Sequence, residues 1–78
     1  MRNRRTLHTG DIVMYTTVSG HKRAAMVVRA WSPRRVELES PRGEWLGVNP
    51  IHGLIKSREA DELYRVERAR FIIDKVVG

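Results

Sequence analysis

The sequence predicts a mainly β protein: a small barrel or tightly curled sheet of about five strands, followed by one short C-terminal helix. Three observations carry this expectation. Short apolar runs rich in β-branched residues are separated by glycine and proline turns at strand-like intervals. Val36 and Leu38 alternate with Arg35, Glu37 and Glu39, the period of a strand with one buried and one wet face. Late in the chain, Ser57 precedes a stretch whose acidic residues and three-to-four apolar spacing are those of a helix start.

Gly10-Asp11 opens the run Ile12-Val13-Met14-Tyr15-Thr16-Thr17-Val18, whose composition favours a strand. Ser19-Gly20-His21-Lys22 supplies a turn, which places Lys22 and Arg23 at a hairpin tip. A second strand spans Ala24 to Trp31 and stops at Ser32-Pro33, because proline restricts the residue before it. After the alternating strand, Ser40-Pro41-Arg42-Gly43 fits a tight turn, with proline at its second position and glycine free to take positive φ. Glu44 to Val48 returns as the next strand, ending at Asn49-Pro50. Ser57 caps a helix expected over about 57–68, supported by Arg58 with Glu62 and Asp61 with Arg65 as i,i+4 pairs. The β-branched segment Arg70 to Val77 reads as a closing strand, with helix continuation as its alternative.

At 78 residues the chain has room for one core. The organisation expected is a basic arm over residues 1–9 and one domain over 10–78. A core of this size contributes only about 3–5 kcal/mol, and the absence of cysteine removes disulfides and thiolate metal sites as supplements, which leaves self-association. The basic start Met1-Arg2-Asn3-Arg4-Arg5 is followed by polar residues rather than an apolar leader core, and no apolar run has the length of a membrane span. A cytoplasmic protein without membrane partners is the expectation.

The formal charge of +6 is unevenly placed. Residues 1–35 carry eight bases against one acid, and residues 36–78 carry seven bases against eight acids. Twelve of the fifteen bases are arginine, whose planar fork suits phosphate and stacks on flat rings. This balance points to nucleic acid or another polyanion. The competing explanation is a solubilising surface.

From Gly10-Asp11-Ile12-Val13 through the polar turn, the strand ending near Trp31 and the hairpin at Pro41-Arg42-Gly43, the order of signals resembles the SH3-like small-barrel superfold that includes Tudor and KOW modules. The likeness covers roughly residues 10–55 and is one of architecture. It implies a small barrel, and such barrels serve many functions. The rhythm is also similar to the type II dihydrofolate reductase, but Gly47-Val48-Asn49-Pro50 stands where that family carries the Val-Gln-Ile-Tyr of its active pore, so only shape carries over.

Arg29-Ala30-Trp31-Ser32-Pro33-Arg34-Arg35 and Arg42-Gly43-Glu44-Trp45 interleave bases with aromatics, as a surface does that stacks nucleobases and holds phosphates. The bland alternative is that tryptophan fills the core under an arginine cover, and burial of at least one tryptophan is expected. The arm residues Arg2, Arg4 and Arg5 have the spacing of tails that follow a phosphate backbone. His8, His21 and His52 lack metal-ligand spacing, and no nucleophile elbow or phosphate loop occurs. No enzyme activity, cofactor, metal or small-molecule substrate is expected.

The expected function is that of a small accessory or regulatory protein binding DNA or RNA through one Arg-rich face: Arg2, Arg4, Arg5, Lys22, Arg23, Arg29, Trp31, Arg34, Arg35 and Arg42. The alternative is a protein-interaction module, such as a phage or mobile-element regulator docking on a nucleic-acid enzyme, with Leu63, Val66, Phe71 and Ile72 as an apolar patch or as the seam of a homodimer.

Overall fold

The computed structural model describes residues 6–77. Strands β1 (Ile12–Thr16), β2 (Lys22–Ser32), β3 (Arg35–Glu39) and β4 (Trp45–Pro50) form one antiparallel sheet in that order, and helix α1 (Arg58–Val77) follows. The mainly β expectation holds, with two corrections: among the described residues there are four strands rather than about five, and the sheet is open rather than closed into a barrel. On the outer edge of β1, Ile55 makes one isolated bridge, with the Met14 and Ile55 amides donating to each other's carbonyls at 2.9 and 3.0 Å.

The two faces of the sheet bury different things. Val13, Ala25, Val27, Val36 and Leu38 form the core on the concave face, joined by Leu7 from before β1 and by Tyr15, Leu46, Ile51 and Leu54 at its margin. Leu7 is thus packed, and the folded part of the chain begins before Gly10; residues 1–5, which hold the rest of the expected arm, lie outside the described residues. On the opposite face, Met14 and Ala24 are buried together with Ala60 and Tyr64 of α1. The helix packs on β1 and β2, reaches the β3–β4 turn where the Arg68 guanidinium donates to the Pro41 carbonyl at 3.0 Å, and makes no close backbone contact with strands β3 and β4 themselves. Fully burying a valine or leucine stabilises by about 1.5–3 kcal/mol, so the concave cluster carries much of the fold.

Irregular positions in the strands give the sheet its curl. Pairing between β2 and β3 shifts between Val27 and Arg29 and again between Ala30 and Ser32, leaving Val28 and Trp31 as extra residues. Bulges bend the strand that carries them and increase its twist. A third shift, between Glu37 and Glu39 on β3, sets Leu46 and Gly47 opposite a single residue. Gly47 takes φ +90, a conformation costly for any residue with a Cβ. The extra residue lets Leu46 point to the core while both Trp45 and Val48 register against outward residues of β3, Glu39 and Glu37. The Asn49 side-chain amide donates to the Leu46 and Gly47 carbonyls and holds this bend.

The turn at Ser40-Pro41-Arg42-Gly43 forms as the sequence implies. The Gly43 amide donates to the Ser40 carbonyl at 2.9 Å, Gly43 has φ 84, and the Ser40 hydroxyl accepts from the Arg42 and Glu44 amides. Ser57 also caps α1 as expected, its hydroxyl accepting the Ala60 amide at 3.0 Å. The expected closing strand over 70–77 is overturned, because α1 runs on to Val77. No glycine or proline interrupts 58–77, and extending a helix adds a hydrogen bond per residue without a new nucleus. The small helix-propensity deficit of valine and isoleucine does not outweigh that.

Candidate functional site

Outward-facing residues of β2, β3 and β4 make a sheet surface that, among the described residues, neither the core nor the body of α1 covers. Trp31 is 55% exposed and Trp45 is 65% exposed, so the expectation that at least one tryptophan is buried is corrected. The core is complete with aliphatic residues, and the indoles lie along the polar side of β3 instead: Arg29 pairs opposite Glu37, and Trp45 opposite Glu39. The Arg29 guanidinium carbon stands 5.4 Å from the Trp31 ring centroid, a cation–π contact on that face. With about four residues of β3 and two strand spacings between them, the backbone positions of the two tryptophans are about 16 Å apart, on the strand geometry of roughly 3.3 Å per residue and 4.8 Å per strand.

Arg34 and Arg35 stand at one corner of this face. A two-residue turn, Pro33-Arg34, joins β2 to β3, with Ser32 paired to Arg35. The Arg34 amide donates to the Ser32 hydroxyl at 3.1 Å, and its carbonyl accepts the Ile51 amide at 2.9 Å, so the backbone that carries both guanidinium groups is fixed from two sides. Arg29, Trp31, Arg34 and Arg35 are all exposed. Among the described residues, the ion pairs join Asp11 to Lys56 at 3.4 Å and to His8 at 4.0 Å, and none involves an arginine.

The ten expected site residues therefore divide. Arg29, Trp31, Arg34 and Arg35 come together at the β2–β3 corner. Lys22, Arg23 and Arg42 lie at the opposite end of the sheet, roughly 25 Å of strand away. Lys22 and Arg23 are not at a hairpin tip, since they open β2 opposite Thr16 and Tyr15 and the tip is made by Val18 to Gly20. Arg23 and Arg42 border a groove of about 480 Å³ whose rim also carries Arg70 and the acids Glu44, Glu67 and Asp74. Lys22 lies over a hollow shared with Glu59 and Glu62. Carboxylates thus stand near these three bases, whereas the corner group faces mainly Glu37. Arg2, Arg4 and Arg5 lie outside the described residues.

Trp45 stands beside Arg42 in the chain, but the strand pattern alone did not reveal that Trp45, Val48 and Pro50 share the outward face with Arg35 and Glu37. The signal was Gly47: a glycine inside a strand marks a bulge, and the bulge resets which residues face out. The histidines are dispersed, with His8 beside Asp11, His21 bonded to Ser19 at 3.0 Å, and His52 in the turn after β4. No helix among the described residues is long and apolar enough to cross a membrane. No protein-family model, curated protein or solved structure matches this chain.

Proposed function

We propose that the protein binds nucleic acid as an accessory or regulatory factor, and that the outward face of β2, β3 and β4 is the contact surface. The observation that carries this reading is the β2–β3 corner, where exposed Arg29 stands over the exposed Trp31 ring, exposed Arg34 and Arg35 follow at the adjoining turn, and none of the three makes an ion pair within the described residues. Arginine at such a corner engages phosphates, and Trp31 and Trp45 offer flat surfaces on which unpaired bases stack. Glu37 and Glu39 occupy the middle of the face, which suits bases rather than phosphates there. The Ile55 bridge on the free edge of β1 supports an SH3-like arrangement whose last strand is reduced to one pair. A cytoplasmic setting belongs to the same reading.

The test is fluorescence anisotropy with labelled single-stranded DNA, single-stranded RNA, duplex DNA and heparin over a salt series. Affinity should fall linearly with salt on logarithmic axes. The double variant Arg34→Ala/Arg35→Ala should flatten the single-strand slope by roughly 1.4, about 0.7 for each phosphate no longer neutralised, for every sequence alike. Trp31→Ala should weaken single-strand binding by about 1–3 kcal/mol and leave heparin binding nearly unchanged. Binding that ignores salt, or a complete absence of nucleic-acid binding at low salt, sinks the proposal. Recovery of one stoichiometric protein partner after nuclease treatment, with no nucleic-acid affinity, replaces it with the docking-module reading.

A further inference from the structure

Given the nucleic-acid contact proposed above, we infer that the groove between α1 and β2 holds one base of the bound single strand. The groove measures about 510 Å³, and its floor is Ile12, Met26, Tyr64 and Ile72. Sites for small organic groups span about 300–1,000 Å³ and are mostly apolar, with a few polar groups that orient the ligand. Tyr64 supplies such a group. The residue is only 7% exposed, yet among the described residues nothing hydrogen-bonds its hydroxyl, and no buried side-chain oxygen or nitrogen there lacks both a partner and solvent. The hydroxyl therefore opens into accessible space, where the groove lies. A phenol both donates and accepts, so it can meet the edge of a base whose flat face rests on the apolar floor.

The rim selects a nucleotide over an apolar peptide side chain. Arg65 and Arg68 are exposed on it, and neither makes an ion pair among the described residues, although Asp61 borders the same groove. Arg68 donates to the neutral Pro41 carbonyl at 3.0 Å, which holds its guanidinium in place without neutralising it. A nucleotide gives its base to the floor and its phosphates to these two cations, whereas an apolar side chain leaves both without a partner. The groove also continues the sheet surface. Met26 pairs opposite Glu39, and Glu39 opposite Trp45, so the floor shares a row with the second indole. The bulge after Val27 lets Arg29 face outward in the next row, opposite Glu37, about 7 Å along β3. From the Arg34 and Arg35 corner, Trp31, Arg29 and the groove thus follow one another down β2 over about 20 Å. A base paired inside a duplex cannot enter such a groove without leaving its stack, so the ligand is single-stranded.

The test titrates the full chain into labelled oligo-dT, oligo-dA and heparin and follows anisotropy over a salt series. Tyr64→Phe removes only the hydroxyl and should weaken both oligonucleotides by about two- to tenfold, the worth of one hydrogen bond, with heparin affinity unchanged. Arg65→Ala, added to the Arg34→Ala/Arg35→Ala double variant, should flatten the salt slope by about a further 0.7. Ala69→Leu places bulk at an exposed helix position that lines the groove. It should weaken oligonucleotide binding with helical circular dichroism intact, which guards against a packing defect in Tyr64→Phe. In methyl NMR spectra the Met26 methyl should move upfield when either oligonucleotide is added, because a base ring stands over it, and the Met14 methyl, buried between sheet and helix, should not. Salt-dependent binding that weakens in Trp31→Ala and in the corner double variant, but ignores Tyr64→Phe and Ala69→Leu and leaves the Met26 methyl unmoved, overturns the base pocket and leaves the sheet face standing. Absence of binding to both oligonucleotides overturns the pocket and the sheet face together.

Discussion

The two halves of the sheet differ in how many faces they bury. On β1 and β2, the concave side enters the core with Val13, Ala25 and Val27, and the convex side lies under α1 with Met14 and Ala24. On β3 and β4, Val36, Leu38 and Leu46 turn inward together with half-buried Asn49, and the other side carries half-buried Glu37 with exposed Trp45 and Val48. A strand buried on both faces reads as a continuous apolar run, and a strand buried on one face reads as alternation. The second half therefore keeps one side of its strands open to solvent.

The largest effect that separates the halves lies within β3. Leu38→Ala should destabilise by about 2–5 kcal/mol, enough to unfold much of a domain this small, because Leu38 is 2% exposed at the centre of the core. Its neighbour on the other face, Glu37→Ala, should move stability by less than about 0.5 kcal/mol. Urea unfolding followed by circular dichroism measures both. Comparable losses at the two positions would mean that the outer face of β3 is covered after all, and the asymmetry between the halves would disappear.

The same asymmetry explains what could be read from the sequence. Strand positions, the Ser40 to Gly43 turn and the Ser57 cap follow from local chemistry, and the alternation around Val36 and Leu38 marks the inward face of β3 directly. The apolar runs of β1 and β2 carried a second message, that a further element covers them. The expected closing strand at 70–77 obscured it, because valine and isoleucine near a chain end fit a strand and a helix equally well, and only the missing breaker between Arg68 and Phe71 favours the helix. Closure of the barrel was not legible, since a single bridge at Ile55 and a full strand look alike in one dimension. For the site, the basic and aromatic residues were plain, but not that β2 is long enough to separate Arg23 from Arg34 by most of the sheet.

A smaller effect tests how the outward face is built. Gly47→Ala meets no atom within 4 Å of the added Cβ, so its cost comes from the backbone at φ +90 and should be about 1–2 kcal/mol. The consequence goes beyond stability. If the strand escapes the strain by losing its bulge, Trp45 and Val48 can no longer both face outward, and the acrylamide quenching of tryptophan should fall. Loss of stability with unchanged quenching would show that the bulge persists and that Leu46 and Asn49 hold it without the glycine.

The smallest expected effect is also the most diagnostic. Trp31→Ala and Trp45→Ala each remove a large aromatic side chain, a change that costs about 3–5 kcal/mol in a core. At these two positions it should shift stability by no more than about 1 kcal/mol, since both indoles stand in solvent and Trp31 gives up only an exposed cation–π interaction with Arg29. Indoles that add little to folding stay available for the base stacking that the proposed function assigns to them. Thermal melts of the two variants measure the difference. A drop in midpoint comparable to that of Leu38→Ala would return the tryptophans to a structural role and remove the bare face on which the proposed nucleic-acid surface depends.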